Sequence, residues 1–146
     1  MDHGICTLCA CKVSTIESWA QQGSWVIGIG GNGTGKPNKI IYAMEVQQVL
    51  PYKTFRLRYA KKSAYLRGRS IAPMANVLLA RKFYYFGDNA IDLPNELQQI
   101  VIRGRGCKLV SDKDIAKLAQ YLRNGYPYGK HGRPINPPPK EERTRC

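Results

Sequence analysis

Residues 23–46, "GSWVIGIGGNGTGKPNKIIYAMEV", decide how this chain folds. Gly30 to Lys36 spell G-x-x-x-x-G-K, most of the motif that cradles nucleoside triphosphates. That motif needs a helix directly after its lysine, with N–H groups aimed at the phosphates, and a Ser or Thr to ligate magnesium. Here Pro37 takes the place of the hydroxyl, and "KIIYAMEV" beyond it is β-branched and aromatic with no helical period. The stretch therefore predicts strand, glycine-rich turn, strand: Trp25–Ile29, then β structure over Lys39–Val49. Lys36, Lys39 and the turn's backbone N–H groups still suit a looser contact with an anion.

Upstream, residues 13–23 read as a helix, with Ser14 and Glu17 at capping-box spacing and Gly23 to end it. Downstream, residues 51–70 carry seven Lys and Arg and no acid. Within "TFRLRYA", Phe55, Leu57 and Tyr59 alternate with Arg56 and Arg58, which predicts a strand with rings inward and guanidinium groups outward. Residues 60–75 read as a loop. Val77–Phe86 reads as one continuous, central strand. "FGDN" turns the chain, Leu93-Pro94 opens a short helical turn to about Gln99, and Arg103–Cys107 suggests a β-like pair. Ser111–Arg123 is the clearest helix: Ser111 and Asp114 form a cap, and Ile115, Leu118, Ala119 and Leu122 share one face. Residues 124–146, with five Pro, three Gly and five basic residues, read as a tail. The expectation is one α+β domain over residues 1–123. It has a compact, mostly antiparallel, barrel-like sheet, one N-terminal and one C-terminal helix, and a basic tail over 124–146.

Charge is the dominant global feature: 23 Lys and Arg against ten Asp and Glu give +13, a field that attracts polyanions, nucleic acid first among them. There is no apolar run of transmembrane length and no secretory leader, so no membrane partner and a cytoplasmic location are expected. The five cysteines, three of them crowded near one end, suit reduced thiols better than a disulfide framework. Cys6-x-x-Cys9 with His3 and Cys11 has a metal-ligand spacing, but no second pair completes a zinc site. No metal and no cofactor are assigned, and no paired carboxylates or nucleophile–base pair mark a catalytic residue. In "ARKFYYFGDN", Arg81, Tyr84 and Tyr85 interleave cations with rings, as base stacking and phosphate contact require. In "RGRGCK", glycines allow close backbone approach while Arg103, Arg105 and Lys108 supply charge.

Taken in order, "CTLCACK", "GSWVIGI", "IIYAMEV", "VLLARKFYYFGDNAIDLP" and "RGC" before the last helix resemble the nucleotide modification associated domain 2 family. The resemblance spans Gly4 to Leu122, with "FYYFG" and "NAI" before Leu93-Pro94 as its most specific piece. The matching positions are Thr7, Cys11, Lys12, Gly23, Trp25, Tyr42, Phe83–Gly87, Leu93, Pro94, Arg105 and Gly106. It implies a PUA-like fold similar to ASCH and EVE domains, and a phage or bacterial role beside DNA base modification. The chain looks like a shortened member: basic residues 51–75 occupy the interval of a longer family insert, and Cys107 stands where the family carries His.

Residues and resemblance together predict a non-catalytic module that binds nucleic acid or a modified nucleotide. Trp25, Tyr84 and Tyr85 would line its pocket; Lys12, Arg81, Arg103, Arg105 and Lys108 would hold phosphates. The alternatives are an enzyme or accessory subunit of base modification, and a small phage-type protein that binds a host protein.

Overall fold

A computed structural model describes residues 4–8, 20–59, 76–104 and 106–135. The glycine-rich segment folds as its sequence predicts. Strands β2 (Trp25–Ile29) and β3 (Lys39–Glu45) pair antiparallel through a 3-10 turn at Asn32–Thr34. The Gly30 N–H donates to the Lys39 carbonyl at 2.8 Å, and strand rather than helix follows Lys36. Across the hairpin Gly28 faces Tyr42 while Ile29 faces Ile40, so Ile41 is a bulge. The bulge reverses the alternation along β3. Ile40 and Ala43 point to one core, Tyr42 and Met44 to the other.

Two sheets result. One has the order β1 (Cys6–Leu8), β5 (Asn76–Ala80), β4 (Gln48–Pro51), all antiparallel. The other runs β2, β3, β6 (Phe83–Tyr85), β8 (Gly129–Lys130), with β7 (Ile91–Asp92) beside β6 on the same edge of β3. Only β8 pairs parallel among the described strands. The architecture is α+β and mostly antiparallel, as expected, but among the described residues the sheets do not close into a barrel.

Burial stacks these elements in layers. Helix α1 (Tyr52–Arg58) covers the outer face of the first sheet through Phe55, against Val77 and Leu79. Leu78 and Ala80 on the opposite face of β5 meet Met44, Val46 and Phe83 between the sheets. Helix α2 (Asp112–Gly125) covers the second sheet, packing Leu118 and Leu122 on Ile40, Tyr84 and Phe86. Ser111 caps α2 as its sequence predicts, its Oγ accepting the Asp114 N–H at 3.2 Å.

Three expectations are corrected. "TFRLRYA" is not a strand: Tyr52–Arg58 is helical. Its buried face is Tyr52, Phe55 and Tyr59, a spacing of three and four, and Leu57 is left 82% exposed. Val77–Phe86 is not one strand. It breaks at the exposed Arg81-Lys82, because two adjacent cations cannot be drawn through a core, and β5 and β6 lie in different sheets. The β structure predicted over Lys39–Val49 is present, as two strands, β3 and β4, divided at Val46-Gln47. Arg103–Cys107 forms no strand among its described residues; Gly104 at φ 91° turns the backbone out of any ladder. The helix predicted over residues 13–23 falls mostly outside the described residues.

The segment after α2 also departs from its composition. Tyr126 and Tyr128 pack on the core, and β8 extends the second sheet beside β6. The His131 N–H donates to the Tyr85 carbonyl at 2.7 Å, and its ring stacks on Phe86 with centroids 5.3 Å apart. Asp88 accepts the Arg133 N–H at 2.7 Å and donates its own N–H to the Arg133 carbonyl at 2.9 Å. Gly87 and Gly132 permit this clasp, since a Cβ on either would strike the facing backbone carbonyl. Residues 126–135 thus belong to the folded body. A chain ended at residue 123 is expected to lose at least about 3 kcal/mol, from two aromatic side chains and one strand. A chain ended at 135 should keep its melting temperature, and thermal denaturation of the two truncations checks this.

Candidate functional site

Strand β2 is an edge of its sheet among the described residues, and a cleft of about 1210 Å³ runs along it. Ile102, Cys107 and Lys108 line it from the segment before α2. Trp25 and Ile27 line it from one face of the sheet and Tyr42 from the other, and glycines of two loops, Gly30, Gly31 and Gly33 with Gly104 and Gly106, contribute backbone to the lining. A glycine rim leaves N–H and C=O groups accessible to a ligand where side chains would cover them.

Two rings are positioned by strand register. Trp25 opens β2, half-buried, with the Arg123 guanidinium 5.6 Å from its ring centroid. Arg123 in turn donates to the Tyr128 hydroxyl at 3.4 Å and lies 3.9 Å from a Glu45 carboxylate oxygen. Tyr42 lies across Gly28, where any Cβ would collide with its ring. Burial pushes the Tyr42 phenol up to about 12, and the Cys6 and Cys107 thiols within Coulombic reach push the same way. At neutral pH it is therefore a hydrogen-bond donor as well as an acceptor.

The sequence-predicted site residues divide. Trp25 and Lys108 meet in the cleft, with the Lys108 ammonium donating to the Gln99 carbonyl at 2.9 Å. Arg103 is exposed on the 100–110 loop. Arg81 is exposed at the corner between β5 and β6, lining a second, smaller hollow. Tyr84 is corrected from pocket wall to core: it is 1% exposed, packed against Phe86 and Tyr128, and burial raises its phenol pKa. A buried ring has no face for a base. Tyr85 points to the other side of the sheet, half-buried beside Tyr42 in cross-strand register and within Coulombic reach of Cys6. Adjacent residues on a strand face opposite ways, so Tyr84 and Tyr85 cannot wall one pocket. Lys12, Arg105, His3, Cys9 and Cys11 lie outside the described residues. Tyr42 and Cys107 line the cleft without being among the predicted site residues. The signal for Tyr42 is a glycine at the last position but one of β2, opposite a tyrosine in β3.

The family described as nucleotide modification associated domain 2 matches this chain over residues 2–72 and 60–140. The chain belongs to that family. Its name links this nucleotide modification associated domain to nucleotide modification, in agreement with the sequence resemblance. No curated protein and no solved structure matches the chain. Among the described residues of this family member, no helix is long and apolar enough to cross a membrane.

Gly28→Ala is expected to force the Tyr42 ring out of place and lower stability by about 1–3 kcal/mol, measured by denaturant titration. A pH series checks the phenol itself. The native state holds Tyr42 neutral above its ordinary 10.0, so this contribution is complete below about pH 10 and lost as pH rises towards about 12. Tyr42→Phe should flatten that part of the alkaline loss, and ultraviolet titration should show one fewer late-titrating phenol.

Proposed function

We propose that this domain binds nucleic acid or a modified nucleotide in the cleft along β2, in the service of DNA base modification in a phage or bacterium. One observation carries the proposal. Two aromatic rings, Trp25 and Tyr42, line one cleft from the two faces of the β2 edge, together with two glycine-rich backbone segments and Lys108, in a chain of net charge +13. Rings offer stacking to any base; backbone groups and the Tyr42 hydroxyl offer hydrogen bonds to a base edge; the ammonium offers a phosphate contact. Arg103 on the same loop as Lys108, together with Lys12 and Arg105, adds charge for the phosphates in this scheme. Two mostly antiparallel sheets packed on a shared core support a PUA-like scaffold, and the cytoplasm is the proposed location.

Titration of labelled single-stranded, duplex and base-modified oligonucleotides at several salt concentrations tests the proposal. Affinity should fall with salt, by about 0.7–0.9 log units per log unit for each phosphate contacted. Trp25→Ala should weaken binding by about 1–3 kcal/mol, the worth of one stacked base. A flat salt response, or equal binding by Trp25→Ala and the parent chain, would sink it.

A further inference from the structure

The layer on the far side of the first sheet has a charge pattern unlike the rest. Between Val46 and Gly87 the sequence holds nine Lys and Arg and not one Asp or Glu. The described acids Glu45, Asp88, Asp92, Glu96, Asp112 and Asp114 all belong to the second sheet, its loops and α2. Lys39 meets Asp92 at 2.9 Å and Arg123 lies 3.9 Å from Glu45, both around the second sheet. On α1, Lys53, Arg56 and Arg58 are exposed, and Arg81 and Lys82 are exposed at the neighbouring corner.

This layer also holds a shaped seat. A hollow of about 310 Å³ is lined by Arg58, Tyr59, Arg81, Gln47 and Gln48. The Gln47 Oε1 accepts the Arg81 backbone N–H at 2.6 Å, which fixes the amide at the edge of the hollow. The Arg58 guanidinium and the Gln47 and Gln48 side-chain amides give the hollow donors that suit a phosphate oxygen. The Tyr59 ring is held by stacking on Phe55 at 5.5 Å.

We infer that this layer, α1 with the β4–β5 pair, which carries no acid among its described residues, is a second nucleic-acid contact that holds the phosphodiester backbone of a polymer. The domain's substrate class is then a strand of nucleic acid rather than a free nucleotide. The inference shares the class of partner with the cleft proposal but stands on other residues. An anionic membrane fits less well. A membrane-surface helix needs a broad apolar face, and that of α1 is already packed on the sheet, leaving Leu57 alone outside.

Two double variants of the full chain test this, with equal charge removed from each. Lys53→Gln with Arg56→Gln alters this layer; Lys113→Gln with Lys117→Gln alters exposed positions of α2. A labelled oligonucleotide of about 20 residues, single-stranded and duplex, is titrated over a range of salt by fluorescence anisotropy, with circular dichroism to confirm folding. The α1 pair should bind about tenfold more weakly at low salt, and its salt slope should fall by about 2, one for each phosphate no longer neutralised. The α2 pair should stay near the parent chain. Equal weakening by both pairs would reduce the effect to net charge and overturn the inference. So would an unchanged slope in the α1 pair, or tighter binding to vesicles containing phosphatidylserine than to either oligonucleotide. A mononucleotide titration compared between the parent chain and Trp25→Ala reads the cleft separately, so either proposal can fail alone.

Discussion

At one corner of the molecule two strands leave one sheet for the other side by side. The chain passes from β3 to β4 at Val46-Gln47 and from β5 to β6 at Arg81-Lys82. The two crossings are tied together: Gln47 N–H donates to the Leu79 carbonyl at 2.8 Å, Glu45 N–H to the Lys82 carbonyl at 3.1 Å, and Arg81 N–H to the Gln47 side chain. A backbone that bends out of a ladder must find other partners for its N–H and C=O groups, and here each crossing supplies them to the other. The layered arrangement depends on that exchange. It lets β5 and β6, consecutive in sequence, each be buried on both faces in different sheets.

The same corner separates two kinds of surface. The described residues between Val46 and Gly87 belong to the outer layer, to the corner, or to the strand beyond it, so among the described residues a bias along the sequence becomes a bias in space. The cleft lies elsewhere, along the edge of β2, where no strand among the described residues pairs. An unpaired edge normally invites aggregation. Here Ile102, Lys108 and Leu109 line the cleft beside it, together with Gly30, Gly31 and Gly33 of the glycine-rich turn.

How much of this was legible depended on the range of the interaction. The β2–β3 hairpin was legible because Pro37 and the β-branched run after it exclude a helix locally. Helix α2 was legible because its cap and apolar face fall within one short window. Trp25 and Lys108 were singled out from the sequence and both line the cleft, but the cleft itself was not legible, since it needs residues distant in sequence brought together by the fold. Tyr84 was misread because a ring beside cations in sequence says nothing about which side of a sheet it faces. The "TFRLRYA" segment was misread because a period of two and a helical period are not distinguishable over so short a run.

By itself the sequence determined the hairpin, the last helix, the excess of positive charge and the family, because each rests on neighbouring residues or on composition. Tertiary structure alone decided which rings are sealed and which line the cleft, where the long β runs break, and that residues 126–135 join the core. Those outcomes depend on burial on both faces of a strand and on backbone hydrogen bonds between distant segments. Neither has a signature in any short stretch of chain.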